Sequence, residues 1–127
     1  MEEQEIIFSS SYDDRNPPSN IFTSNKKEFF SSTGMFPQEI TIQFKTVKNI
    51  NKINIISYGI KKIKIEICEN DAVVNFKKVS EQNDISNSNS LQNISLNLNG
   101  GNQIKVLKII VLEGHEDFFT IHNVSFK

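Results

Sequence analysis

Apolar and polar residues alternate with a period of two along three stretches of the chain, which predicts strands with one buried face. The stretches are Glu39–Phe44, Lys62–Cys68 and the segment that contains Ile94, Leu96 and Leu98. In the second stretch we expect the isoleucines to face a core, whereas Lys64, Glu66 and Cys68 are predicted to share the outward face.

Further strands are predicted where β-branched and aromatic residues cluster, at Glu5–Ser10, Ile53–Tyr58, Val73–Val79, Ile104–Leu112 and Phe118–Phe126. The run Ile104–Leu112 is almost wholly apolar, so we expect either a strand covered on both faces or one interrupted by a bulge. Asn99–Asn102 is predicted to be a turn. Seven to nine short strands without an amphipathic helix predict one all-β domain spanning residues 1–127, an antiparallel β-sandwich.

Ser11–Lys27 breaks this pattern, because it is polar and contains Pro17 and Pro18, which disfavour both helix and strand pairing. We expect an ordered loop with at most one helical turn near Ile21. The overlapping stretch Asp13–Glu28 carries side-chain oxygen atoms of the kind that calcium binds, on Asp13, Asp14, Asn16, Asn20, Thr23, Ser24, Asn25 and Glu28.

The stretch Thr33–Pro37 places two large apolar side chains, Met35 and Phe36, between a glycine and a proline that stiffen the backbone. Two interpretations remain open for this pair. Both side chains fold back over the end of a core, or they contact a partner protein, since apolar residues on a rigid loop are suited to binding.

Composition excludes several classes of function. Fourteen basic and 15 acidic residues leave a formal net charge of -1, which argues against a nucleic-acid binder. The acidic start Met1–Glu5 does not resemble a secretory signal, and no apolar run is long enough for membrane insertion, so we expect a reducing, cytosolic compartment. A single cysteine, Cys68, rules out an internal disulfide.

His115 and His122 are the only histidines, and Glu116 and Asp117 lie between them in the sequence. A metal site or an acid–base pair built from them would still need an orienting group and a substrate pocket, and the sequence indicates neither. The residues alone therefore do not support an enzyme built on these two histidines.

The order of several motifs resembles the intraflagellar transport protein 25 family, also called heat-shock protein beta-11-like. The matching segments are Asn16–Ile21, Phe29–Glu39, Ile56–Tyr58, Leu107–Val111, Phe118 and His122–Ser125. The resemblance implies a jelly-roll β-sandwich of the galactose-binding, discoidin-like type. It also implies a non-enzymatic subunit of the intraflagellar transport B complex, in the cilium or flagellum and the cytoplasm, paired with a Rab-like small GTPase, intraflagellar transport protein 27.

The same resemblance implies a calcium site at Asn20, Thr23 and Glu28. This chain departs from the family pattern, which has an aspartate at Thr23 and a threonine at Glu28, so we expect calcium binding to be weak or absent. A carbohydrate-binding module is the alternative function, because sandwiches of this lineage often bind sugars through loops at one end. The sequence contains no tryptophan to serve as the usual aromatic platform.

Overall fold

A computed structural model describes residues 3–23, 25, 27–70, 75–88 and 90–127, without the side chains of 99–102. Its seven strands are β1 (Gln4–Ser9), β2 (Phe30–Ser31), β3 (Gln38–Tyr58), β4 (Ile60–Cys68), β5 (Lys77–Gln82), β6 (Gln92–Gly114) and β7 (Thr120–Phe126). One 3₁₀ helix, Pro18–Phe22, follows β1. The predicted all-β fold is confirmed, and the strand pairings are antiparallel. No helix in the described part of the chain is long and apolar enough to cross a membrane.

Two long strands, β3 and β6, build both layers of the sandwich. The first part of β3 pairs with β1 and with the second part of β6, so that Gln38 lies opposite Val111. The second part of β3 pairs with β7 and with the first part of β6, where Ser57 lies opposite Gln92. One layer is therefore β1-β3-β6-β4-β5, and the other is β2-β7-β3-β6.

The sequence predicted two separate strands, Glu39–Phe44 and Ile53–Tyr58, where the structure has the single 21-residue strand β3. The register of β3 against β6 shifts between Gln43 and Lys48 and again between Ile50 and Lys52. Such irregularities bend a strand without ending it, so the chain passes from one layer to the other without a turn.

The turn predicted at Asn99–Asn102 is wrong, because β6 continues through this segment. Asn97 pairs with Lys52 and Asn102 with Ile50, so the extra residues of β6 are absorbed as a bulge. Glycine and asparagine favour both turns and bulges, and composition alone does not separate the two.

The strand predicted at Val73–Val79 is placed too early, since β5 begins at Lys77. Residues 73 and 74 lie outside the described part of the chain. Phe76 precedes the strand, and its ring lies 4.1 Å from the ammonium group of Lys108 on the outer face of the sheet.

The alternation in β4 is confirmed for its isoleucines, because Ile63, Ile65 and Ile67 are buried in the core. Cys68 lies opposite Val106 and outside the core cluster, on the predicted outward face, but it is buried there. Its Sγ donates to the carbonyl oxygen of Asn70 at 3.3 Å, so the chain that leaves the strand folds over it. Residues that follow a strand can cover its last side chain, which a strict period of two does not anticipate.

Apolar residues are buried on both faces of the second part of β6. This is the first of the two structures that the sequence predicted for Ile104–Leu112. Leu107, Ile109 and Val111 belong to the core, whereas Val106 and Ile110 are buried outside it. On the outer face, Val106 and Ile110 lie on either side of Lys108 and are flanked by side chains of both neighbouring strands, β3 and β4.

We predict that Ile65→Asp prevents folding, because Ile65 is fully buried and a carboxylate there would have no partner. Lys64→Asp should lower the free energy of unfolding by less than about 1 kcal/mol, because Lys64 is partly exposed in a surface ion pair with Glu66 at 3.1 Å. Thermal unfolding followed by circular dichroism checks both variants. Similar melting temperatures for the two would contradict the inward position of Ile65.

Candidate functional site

Three connecting segments, residues 32–37, 58–60 and 113–119, meet at one end of the sandwich, which we call the loop end. The backbone N–H of Ser32 donates to the carbonyl of Phe119 at 3.0 Å, and the N–H of Phe119 donates to the Ser32 hydroxyl at 2.9 Å. The N–H of His115 donates to the carbonyl of Gly59 at 2.9 Å. These bonds join the segments into one surface.

Met35 and Phe36 lie next to each other at the loop end but have different environments. Gly34 has a φ of 87°, a conformation that a residue with a side chain rarely adopts. After this turn Met35 is 86% exposed, the most exposed large apolar residue in the described part of the chain. Phe36 is only partly exposed and packs on Phe119, with ring centroids 5.9 Å apart. It lies so close to Gly114 that a Cβ there would overlap with its ring.

The turn that carries Met35 is fixed by a buried polar network. The side-chain amide of Gln38 donates to the carbonyl of Met35 at 2.6 Å. The hydroxyl of Ser11 lies against both the carbonyl of Thr33 and Oε1 of Gln38. Because Ser11 and Gln38 are buried, this network replaces the water that an exposed turn would bind. Met35 is therefore held on a rigid backbone.

Two aromatic residues that the sequence analysis did not propose for a binding site extend this surface. Phe118 is 41% exposed, and its ring centroid lies 6.4 Å from that of Tyr58. The Tyr58 hydroxyl donates to Glu116 Oε2 at 3.3 Å. Asp117 beside them is exposed. The loop end thus exposes methionine and aromatic side chains, which are enriched at protein interfaces, beside carboxylates.

The two histidines are held by different groups. His115 Nε2 lies 2.6 Å from the carbonyl oxygen of Ile85, whereas His122 stacks on Phe29 and has its Nε2 3.0 Å from the Thr120 hydroxyl. Among the residues that the structure describes, no group of three or more His, Cys, Asp or Glu side chains could hold a metal ion.

The structure brings together two of the three residues proposed for calcium. The backbone N–H and the hydroxyl of Thr23 both lie 3.2 Å from the carbonyl oxygen of Asn20. The side chain of Glu28 is exposed, and its backbone N–H donates to the carbonyl of Asn25 at 2.9 Å. The sequence did not anticipate that Asn123, on β7, reaches this loop and donates through Nδ2 to the carbonyl of Thr23 at 2.7 Å.

Comparison with known proteins defines the class first. Residues 5–123 match the F5/8 type C domain family, so the chain is a β-sandwich domain of this class. The family 32 CBM from C. perfringens NanJ, solved in complex with galactose, has a TM-score of 0.82 at 16% identity, covering 98% of this chain and 93% of that chain. Chitosan-binding module 1 of a Paenibacillus chitosanase/glucanase also has a TM-score of 0.82, at 11% identity over 98% of this chain and 95% of that one.

Curated relatives then define the family. The human intraflagellar transport protein 25 homolog is 32% identical over 98% of this chain and 85% of its own length. Intraflagellar transport protein 25 of Chlamydomonas reinhardtii is 32% identical over 94% of this chain, which spans 62% of the length of that protein. The chain belongs to the intraflagellar transport protein 25 family.

We predict that Phe36→Ala lowers the melting temperature by about 8 °C, because it removes a packed ring worth about 2 kcal/mol. Met35→Ala should shift it by less than about 2 °C, since Met35 makes no core contact to lose. Differential scanning calorimetry of the two variants measures this difference. If Met35→Ala destabilises as much as Phe36→Ala, the exposed position of Met35 is wrong.

Proposed function

We propose that this protein is a non-enzymatic subunit of the intraflagellar transport B complex, where it forms a heterodimer with a Rab-like small GTPase, intraflagellar transport protein 27, for ciliary cargo transport. The observation that carries the proposal is its membership of the intraflagellar transport protein 25 family over almost its whole length. The proposal places the protein in the cilium or flagellum and in the cytoplasm.

The loop end is the surface that we assign to the GTPase. Its most exposed apolar residue, Met35, stands on a turn that is already ordered by Gln38, so binding would not need to order it. Methionine and aromatic residues are enriched in the cores of protein interfaces, and Phe118 supplies an exposed aromatic side chain at the same end. Phe36 supports this surface from below through its packing on Phe119.

The histidine environments support a role without catalysis. His115 contacts the carbonyl oxygen of Ile85, and His122 contacts Phe29 and the Thr120 hydroxyl. These contacts connect each ring to a neighbouring part of the fold. Cys68 is buried at the end of β4, where its Sγ donates to the carbonyl oxygen of Asn70 at 3.3 Å.

Carbohydrate binding is the second candidate function, and one observation favours it. The rings of Tyr58 and Phe118 lie near each other at the loop end with the Glu116 carboxylate on the Tyr58 hydroxyl. An aromatic surface with a few placed polar groups is a common composition of small-molecule sites. Although the chain has no tryptophan, the Tyr58–Phe118 pair supplies an aromatic surface.

The first experiment co-expresses the chain with the Rab-like GTPase of the same organism and analyses the product by size-exclusion chromatography. We expect the two proteins to elute together. Elution as two separate species would remove the main support for the transport function.

A glycan array probed with the free chain tests the second candidate function, carbohydrate binding. Specific sugar binding that Tyr58→Ala abolishes would favour this function over the transport function.

Met35→Glu tests the assigned surface. We expect at least about tenfold weaker binding to the GTPase, because the substitution puts a charge into the apolar centre of the interface. Val47→Glu is the matched control, since Val47 is also exposed and apolar but lies where β3 passes between the layers. Isothermal titration calorimetry measures both variants. Equal binding by Met35→Glu and wild type would exclude the loop end as the docking surface.

A further inference from the structure

The segment between β1 and β2, residues 10–29, contains the positions at which the family resemblance implies a calcium site. The structure describes this segment except residues 24 and 26. We infer that the side-chain amide of Asn123 holds this loop against the sandwich in place of a calcium ion. The loop is then ordered at any calcium concentration.

The decisive contact joins parts of the chain that are 100 residues apart. Asn123 Nδ2 lies 2.7 Å from the carbonyl oxygen of Thr23. Asn123 is half-buried on β7 and is paired across the sheet with Ile56 of β3, so its backbone position is set by the sandwich. An amide N–H on a fixed strand can therefore anchor the loop, as a cation bridging strand and loop would.

Three further carbonyl oxygens in the described part of the loop also accept hydrogen bonds from donors of the protein. Asn20 O accepts from the N–H and the hydroxyl of Thr23, each at 3.2 Å. Asn25 O accepts from the N–H of Glu28 at 2.9 Å. Phe29 O accepts from the side-chain amide of Asn20 at 2.9 Å.

This set of contacts does not fit a calcium ion. Calcium binds six to eight oxygen atoms whose lone pairs converge on it, and it prefers carboxylates among them. The hydrogen bonds of Asn20 and Thr23 join neutral groups. The carbonyl oxygens of both residues accept from N–H or O–H groups, whose hydrogens carry a partial positive charge and would repel a cation. The carboxylate of Glu28 is exposed. A hydroxyl at position 23 also cannot supply the charge that an aspartate would bring.

A second residue of β7 fastens the same loop. The ring of His122 stacks on Phe29 with centroids 5.0 Å apart and an interplanar angle of 29°. Phe29 is also the residue whose carbonyl accepts from Asn20. Neighbouring residues of one strand thus hold both the middle of the loop, at Thr23, and its end, at Phe29.

The test compares wild type with Asn123→Ala, and uses Asn54→Ala as the matched control. The side chain of Asn54 also makes a hydrogen bond, accepting from the hydroxyl of Ser95 on β6 at 2.8 Å, so its partner is a strand residue rather than the loop. We expect Asn123→Ala to lower the melting temperature by about 4 °C, because the Thr23 carbonyl loses its donor. Trypsin should cleave after the exposed Lys27 about fivefold faster in this variant, since the loop detaches more often. Trypsin should cleave the Asn54→Ala variant after Lys27 at the wild-type rate.

Calcium supplies the second arm of the test. The melting temperature and the Lys27 cleavage rate of wild type should be the same in calcium chloride and in a chelator. A rise of several degrees with calcium, or saturable micromolar binding in a calorimetric titration, would overturn the inference. So would equal cleavage rates for Asn123→Ala and Asn54→Ala, because the Asn123 amide would then not be what holds the loop.

Discussion

The antiparallel pairing of β3 with β6 through both layers is the interaction on which the rest of the structure depends. Each strand contributes its first part to one layer and its second part to the other, so the two layers share a continuous backbone at their centre. The register shifts near Lys48 and Ile50 make this continuity possible, because they bend the pair without breaking it. The isoleucines of both layers then face the same interior, where burial of each contributes roughly 1.5–3 kcal/mol.

This arrangement also decides where binding surfaces can form. Since β3 begins and ends at the same end of the sandwich, its two flanking segments meet the segment between β6 and β7 there. Three connections packed on a rigid scaffold can present side chains without ordering them again for each partner. Phe36 fills the space beneath the surface, and Met35 remains outside it, so neighbouring residues have opposite roles on one turn.

The sequence predicted the strands and their inward faces well, because the period of two in segments such as Lys62–Cys68 reflects burial directly. It failed where the same residues serve two kinds of structure. Asn99–Asn102 reads as a turn by composition, yet it forms a bulge in β6, because only the pairing with β3 decides between the two. Cys68 has an outward position by alternation, but the chain beyond it covers the sulfur.

The candidate site was less accessible to prediction than the fold. The stiff turn around Met35 and Phe36 could be predicted, because glycine and proline mark it locally. Which of the two side chains is buried could not be predicted, because Phe36 packs on Phe119 and Gly114, far along the chain. The same limit applies to Asn123, whose contact with Thr23 spans 100 residues and leaves no local pattern. Interactions between distant segments are created by the fold, and no window of sequence contains both partners.

The likeness to galactose- and chitosan-binding modules and the membership of a transport-protein family are compatible, because one sandwich can carry different sites on its loops. What the fold contributes is a fixed end at which several loops meet. What each chain contributes is the set of side chains exposed there and the way in which its long loop is fastened. In this chain a methionine on a rigid turn stands at that end, and one neutral hydrogen bond and one ring stack to β7 fasten the loop. Both features order this part of the chain through its own side chains, which is what the proposed docking of a protein partner requires.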